Sequence, residues 1–224
     1  MKKVPRHIAI IMDGNRRFAK KNNVEVSDGH KKGSQKIQEV CALAKEFGVE
    51  TLTLFAFSSE NWSREQNELS SLNALLKDFL KTEKHKFIEN KIKVKVIGDI
   101  KAYDENIQID IKTLEEETAC FDKFTLVIAL NYGGRAEIVR AFNLLKNNTQ
   151  ITEEDITANL YTCGLENPDL LIRTGGASRL SNFLLWQMSY TELYFTNVLW
   201  PEFGKEDFEL ALDFFSKQER NFGK

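Results

Sequence analysis

The sequence predicts an α/β protein: a largely parallel six-stranded sheet flanked by helices. Short apolar runs of strand length recur along the chain, and amphipathic helical patterns lie between most of them. A third observation is the strict alternation of lysine and apolar residues from Lys91 to Val96, which marks a strand with one wet face near a sheet edge. Parallel neighbours need crossover connections, and helices between strands supply them.

The first strand is Ile8–Met12, five apolar residues that run straight into Asp13-Gly14-Asn15-Arg16-Arg17-Phe18, with Asn15 opening a helix. Ile37, Val40, Cys41, Ala44 and Phe47 then repeat at three and four, and Gly48 follows as a helix stop. Leu52–Phe57 is the second strand, and Leu69, Leu72, Leu75, Leu76 and Phe79 give the next helix. The strand Ile92–Ile97 contains the alternating run and leads to a helix through Ile107, Ile111, Leu114, Thr118 and Phe121. Phe124–Leu130, Leu170–Ile172 and a weaker Leu193–Phe195 complete the sheet, and Phe208, Ala211, Leu212 and Phe215 mark a last helix.

At 224 residues with no visible linker, the expectation is a single domain over 1–224, and 42% hydrophobic content with 16 Phe is ample for a core. Basic and acidic residues number 31 and 33, too even for a general nucleic-acid binder whose affinity comes from phosphate neutralisation. Three widely spaced cysteines with no C-x-x-C suit a reducing compartment, and each is expected to be a small buried hydrophobe. The basic start Lys2, Lys3 and Arg6 precedes an apolar run too short for a signal h-region, and no segment has the roughly 20 apolar residues that span a bilayer. A cytoplasmic protein is expected, with peripheral membrane contact left open.

In open α/β sheets ligands bind beyond the carboxyl ends of the strands. Four such ends here present glycine, amide, hydroxyl and arginine: Asp13–Arg17, Ser58–Arg64, Asn131–Arg135 and Arg173–Ser181. Asp13 suits a hard cation such as Mg²⁺, while Asn15, Arg16 and Arg17 at a helix start suit phosphate oxygens. Arg173, Arg179 and Ser181 around a Gly-Gly turn suit two adjacent phosphates, with a surface turn of paired arginines as the alternative. Gly29-His30-Lys31-Lys32-Gly33-Ser34 is expected to precede the first long helix as a further anion site, although a histidine there is more often structural. Glu192 is either a second metal carboxylate or an ordinary exposed glutamate, and Trp62, Trp186 and Trp200 are expected to pack. Neither a Walker A loop nor a dinucleotide fingerprint is present.

Five ordered motifs make the pattern specific: His-Ile-Ala-Ile-Ile-Met-Asp-Gly-Asn, Leu-Thr-Leu-Phe-Ala-Phe-Ser-Ser-Glu-Asn-Trp, Asn-Tyr-Gly-Gly-Arg, Ile-Arg-Thr-Gly-Gly and Ser-Tyr-Thr-Glu-Leu-Tyr-Phe. From about His7 to Gly223 the chain resembles the cis-prenyltransferases, and by pattern the bacterial undecaprenyl diphosphate synthases. The resemblance implies a Mg²⁺-dependent homodimer that condenses isopentenyl diphosphate with farnesyl diphosphate, building a long cis-polyprenyl diphosphate, of undecaprenyl type, for cell-wall lipid carrier synthesis. It implies catalytic roles for Asp13 and Asn61, with Asp13 and Glu192 at the metal, Glu192 from a partner subunit if need be. Gly14, Asn15, Arg17 and His30 would meet the allylic diphosphate, Arg173, Arg179 and Ser181 the isopentenyl diphosphate, and Arg64 the mobile loop. Arg16, Phe18, Phe57 and Ser58 fall in the same motifs and count as substrate-binding. Leu43, Phe47, Leu54, Phe55, Leu72, Leu76, Phe79 and Leu126 are either lining for an apolar product tunnel or plain core.

The chain departs from the family pattern at four places. Arg16 replaces a common glycine, Phe18 the usual tryptophan and Val26 an arginine, and the C-terminal Arg-x-Gly appears as Asn221-Phe222-Gly223. Arg16 or Lys20 is expected to supply the charge missing at Val26. Two other readings compete with the enzyme: a non-catalytic subunit of a heteromeric prenyltransferase, and a phosphotransferase acting on nucleotides or phosphosugars.

Overall fold

A computed structural model describes residues 3–219, so the Asn221-Phe222-Gly223 departure and Lys2 lie outside the described residues. The elements run β1 (His7–Ile11), α1 (Asn15–Asn22), α2 (Val26–Glu46), β2 (Thr51–Phe55), α3 (Gln66–Glu89), β3 (Lys93–Ile97), α4 (Glu105–Thr118), β4 (Thr125–Ala129), α5 (Gly134–Leu145), α6 (Glu153–Ala158), β5 (Leu170–Arg173), β6 (Glu192–Phe195) and α7 (Lys205–Ser216). The six strands form one sheet in the order β3-β4-β2-β1-β5-β6, and every pairing is parallel. β2 lies on one side of β1 and β5 on the other, so the crevice beyond β1 is the topological switch point of the sheet.

Alternation along the central strands sends two apolar sets to opposite faces. Ile8, Ile10, Leu52, Leu54, Leu126, Ile128, Leu170 and Ile172 pack under α2, α3, α4 and α7. Ala9, Ile11, Val127, Ala129 and Leu171 face the other way, where Tyr132, Phe183, Leu184 and Met188 cover them. Phe55 stacks on Phe183 on this second side, with ring centroids 4.4 Å apart. α5 and α6 share a smaller cluster of Ala141, Leu145, Ile156 and Leu160. Neither helix stands out in the sequence pattern, because α6 has only 6 residues and α5 also carries exposed apolar residues such as Val139 and Phe142.

β3 sits at the sheet edge, as its alternation predicts. Its outward amides are occupied by α4, since Val94 N donates to Thr118 Oγ1 (3.0 Å) and Val96 N to Glu115 Oε1 (2.7 Å). Two side chains of α4 thereby block an edge that would otherwise template another strand. Burial drives the Glu115 carboxyl up, against the Val96 amide and Lys95 that favour its charge.

Several expectations need correction. The Gly29–Ser34 segment lies inside α2, which starts at Val26, so its amides belong to the helix rather than to an anion site. Gly29 and Gly33 instead let α2 approach α1, because a Cβ at either would strike Asn15. Only Cys41 is a buried hydrophobe, its thiol pushed up to about 12 by burial, whereas Cys120 and Cys163 are exposed. β2 ends at Phe55, and the Ala56 and Phe57 amides both donate to Ala129 O as the chain turns away. Among the described residues no helix is long and apolar enough to cross a membrane.

Candidate active site

β1 and β5 deliver Asp13 and Arg173 to the switch point. The Asp13 carboxylate sits between two guanidiniums, with Arg17 Nη2 2.8 Å from Oδ1 and Arg173 Nη2 3.1 Å from Oδ2. Arg173 is only 4% exposed, so its charge is held by that carboxylate and by Nη1 bonds to Ser181 Oγ (2.7 Å) and Arg179 O. Its Nε is buried with no partner, one donor left over in a cationic crevice. Thr174 Oγ1 donates to Asp13 O (2.7 Å) and Trp200 N to the same carbonyl (3.0 Å), which fixes the backbone of the turn.

The glycines of the Arg173–Ser181 loop serve packing rather than a phosphate cradle. Gly175 and Gly176 have φ of +81° and +78°, and their amides donate to Val198 O and Thr196 O. A Cβ at Gly175 would strike the Arg17 guanidinium, whose Nη1 donates to Gly175 O. The Gly133-Gly134 pair is likewise packed, against Ser59, Asn182 and Leu185, rather than open to the cleft.

The turn after β2 adds a second wall. Ser58 N donates to Asn61 Oδ1 (3.0 Å), Trp62 Nε1 to Asn131 Oδ1 (2.8 Å), and Arg64 Nη1 to Glu68 Oε1 (2.8 Å). His30 Nε2 lies 3.3 Å from the same Glu68 oxygen. Burial lowers the His30 pKa, and the nearby Arg64 and Arg16 charges lower it further. Partial burial would raise Glu68, but Arg64, His30 and Arg16 outweigh it and hold the carboxyl below its usual range.

Two cavities meet here. A polar cleft of about 660 Å³ is lined by Asp13, Asn15, His30, Phe57, Ser58, Asn61, Arg64, Arg135, Arg173, Arg179 and Ser181, among others. Beside it an apolar pocket of about 110 Å³ runs between the sheet and α2 and α3, lined by Ile37, Leu72, Leu75, Leu76, Phe79, Tyr103 and Ile128. Met12, Asn15, His30, Ala56, Phe57 and Leu72 belong to both walls. A recess at the start of α1, formed by Gly14, Asn15, Arg16, Arg17, His30 and Arg64, adjoins the cleft. No side chain caps that helix and its first turn has no acidic residue, so its amino end contributes positive partial charge.

Of the sequence-predicted residues, all but Phe18 and Glu192 line these cavities. Phe18 is half-buried on α1 outside them. Glu192 opens β6 and pairs with Leu170, which pairs with Ile8; it therefore lies at the amino end of the sheet, roughly 15 Å along the strands from Asp13. One chain does not bring the two carboxylates together. Of the tunnel candidates, Leu72, Leu76 and Phe79 line the apolar pocket, Phe55 faces the polar cleft, and Leu43, Phe47, Leu54 and Leu126 are core. Sequence reasoning placed Arg135 in a strand-end loop without giving it a role, and it missed Asn182, which follows the Arg173–Ser181 loop into the cleft wall.

The donor set does not form a cation cage by itself: Asp13 already faces two guanidiniums, and no cluster of three His, Cys, Asp or Glu occurs among the described residues. One carboxylate beside several arginines fits a Mg²⁺ that arrives with phosphate oxygens, since Mg²⁺ is commonly held by one or two carboxylates plus substrate phosphates.

Comparison with known proteins places this geometry. The family model described as putative undecaprenyl diphosphate synthase matches residues 11–223. An isoprenyl transferase of Fusobacterium nucleatum is 47% identical over 224 residues, covering 99% of this chain and 97% of the relative. A ditrans,polycis-undecaprenyl-diphosphate synthase ((2E,6E)-farnesyl-diphosphate specific) of Pseudomonas aeruginosa is 45% identical, covering 99% of this chain and 91% of the relative. The crystal structure of lavandulyl diphosphate synthase from Lavandula x intermedia, in complex with dimethylallyl diphosphate, superposes with a TM-score of 0.94 at 33% identity over 99% of both chains.

Proposed function

The chain belongs to the undecaprenyl diphosphate synthase family and is a cis-prenyltransferase, and from that premise we propose that it elongates farnesyl diphosphate with isopentenyl diphosphate to a long-chain, undecaprenyl-type product. The observation that carries the reading is the junction of a cationic cleft with an apolar pocket across a shared wall. A diphosphate head and a hydrocarbon tail need those two environments side by side. The pocket holds about 110 Å³, below the range of about 300–1,000 Å³ typical of small-ligand sites, so even the primer tail needs its walls to yield. A longer product needs α3, whose Leu72, Leu75 and Leu76 form one wall, to move outward.

In this reading Gly14, Asn15, Arg16, Arg17, His30 and Arg64 bind the allylic diphosphate, and Arg173, Arg179 and Ser181 the isopentenyl diphosphate. Asp13 would hold Mg²⁺ together with diphosphate oxygens. When bound, the ion supplies neutralisation of charge on the departing diphosphate. The arginines supply the same stabilisation from fixed positions, and negative charge grows on the leaving group as the allylic C–O bond breaks. The isopentenyl double bond then attacks the electron-poor carbon. A proton leaves the isopentenyl unit for a diphosphate oxygen, with the buried, unpartnered Asn15 Oδ1 as relay. Asn61, bonded to Ser58 N, shapes the turn that closes on the substrates.

Glu192 joins the metal only if a second subunit presents it, so the reading includes a homodimer; exposed Val139 and Phe142 on α5 offer an apolar face for the partner. The whole chain acts as one domain in the cytoplasm, with peripheral contact to a membrane for product release. The test is incubation with Mg²⁺, farnesyl diphosphate and labelled isopentenyl diphosphate, followed by sizing of the products. Extension by many units is expected, and no extension, with or without a candidate partner subunit, would overturn the proposal.

A further inference from the structure

Three of the loops around the cleft meet at one side chain. Asn182 Nδ2 donates to Glu60 Oε1 (2.7 Å) on the turn after β2. Its Oδ1 accepts from Arg135 N (2.9 Å) and its backbone carbonyl from Gly134 N (2.7 Å), the first two amides of α5. The amino end of α5 is therefore capped from the loop after β5, and those two amides are not available to an anion.

The sequence around these contacts is shaped to admit them. A Cβ at Gly133 would lie 2.8 Å from Asn182 Nδ2, and one at Gly134 3.1 Å from Asn182 O. The Gly-Gly pair is thus the seat of Asn182. Ser181 and Asn182 have φ of +50° and +63°, a region that residues other than glycine hold only when surrounding contacts fix them there. That bend points the Ser181 hydroxyl at Arg173, and it places Arg135, which has no ion pair among the described residues, along the cleft.

We propose that Asn182 is a positioning residue, a clasp that locks the Arg179–Ser181 diphosphate loop to the Ser58–Arg64 turn through Glu60 and so sets the affinity for the second diphosphate substrate. The proposal rests on the elongation reading above. Asn182 does not react; it holds Ser181 and the Arg135 backbone in place while Glu60, whose Oε2 also accepts from Ser59 Oγ (3.2 Å), anchors the opposite wall.

The test is a double-mutant cycle. Asn182→Asp keeps the acceptor for Arg135 N but turns the donor toward Glu60 into a carboxylate oxygen, so two like charges meet. Glu60→Gln in the same chain restores a donor across the gap. Asn182→Asp is expected to raise KM for isopentenyl diphosphate about tenfold while KM for farnesyl diphosphate stays near wild type, and the double variant is expected to regain most of the loss. A normal KM in Asn182→Asp, a loss shared equally by both substrates, or no rescue by Glu60→Gln would overturn the clasp. The same cycle followed by thermal unfolding without substrate needs no turnover: coupling between the two positions is expected, and additive Tm changes would also overturn it. If the wild type fails to elongate while that coupling is present, the elongation reading falls and the clasp contact stands.

Discussion

Alanine at Gly33 and alanine at Gly29 should harm the protein in different ways. Both residues lie on the face of α2 that meets α1. A methyl group at Gly33 would strike Asn15 Oδ1 and lie 3.0 Å from Trp200 Cδ1. The Asn15 side chain has room to rotate because it borders the cavities. Replacing glycine inside a helix gains about 1 kcal/mol of propensity, and overpacking costs about 1–3 kcal/mol, so the net loss is about 0–2 kcal/mol. At about 2–4 °C per kcal/mol for a chain of this size, Tm should fall by no more than about 8 °C. Rotation carries the Asn15 oxygen away from the substrate wall, and displacement of a site group by about 1 Å costs about 100-fold in rate. At Gly29 the obstacle is the Asn15 backbone carbonyl, with Ala19 Cβ at 3.1 Å, and neither can rotate aside. There α1 must separate from α2, which puts the overpacking cost near the upper end of its range, about 3 kcal/mol; less the same propensity gain the net loss is about 2 kcal/mol, and Tm falls by roughly 4–8 °C. Thermal melts and steady-state elongation on both variants check this. A Gly33→Ala enzyme with wild-type kcat, or a Gly29→Ala protein with unchanged Tm, would refute the reasoning.

Two further perturbations probe the fold and the site. His7 is buried, with Nδ1 2.7 Å from Glu166 O and Nε2 2.7 Å from Thr53 Oγ1, and burial holds its pKa down from 6.5 to about 4. The unfolded chain takes up that proton first, so the stabilisation is whole above pH 6.5 and is lost as pH falls toward 4; at ~1.36 kcal/mol per pH unit it amounts to about 3 kcal/mol. Urea titrations between pH 7.5 and 4 should show a steeper loss in the wild type than in His7→Gln, and identical slopes would count against it. Arg16, exposed at the recess near His30 and Glu68, should contribute to the allylic diphosphate. Arg16→Gly is expected to raise KM for farnesyl diphosphate about tenfold, and Val26→Arg in the same chain to recover it, as charge-assisted contacts of about 1.5–3 kcal/mol allow; an unchanged KM in Arg16→Gly would dismiss the compensation.

Much of the fold was legible because the central strands β1, β2, β4 and β5 are largely buried on both sides and read as mainly apolar runs bounded by Asp13, Gly48 or Asn131. The position of β3 at the edge was legible for the opposite reason, since alternating lysines leave one face wet. The start of α2 was not. Val26, Gly29 and Gly33 look like a loop because glycine disfavours helices, yet α2 accepts them to bring α1 within contact distance, a gain that exists only once both helices are packed.

The same division runs through the site. Local sequence determined which residues reach the carboxyl edge of the sheet, because a strand end and its loop are set by neighbours along the chain: Asp13 after β1, Ser58 after β2, Arg173 closing β5. Only the tertiary structure decided what each of them faces. Register along the sheet sent Glu192 to the far end from Asp13, and the Gly-Gly turns that resemble phosphate cradles turned out to seat Arg17 and Asn182. Those outcomes depend on distances between segments far apart in sequence, which backbone hydrogen bonding and close packing fix and local composition does not encode.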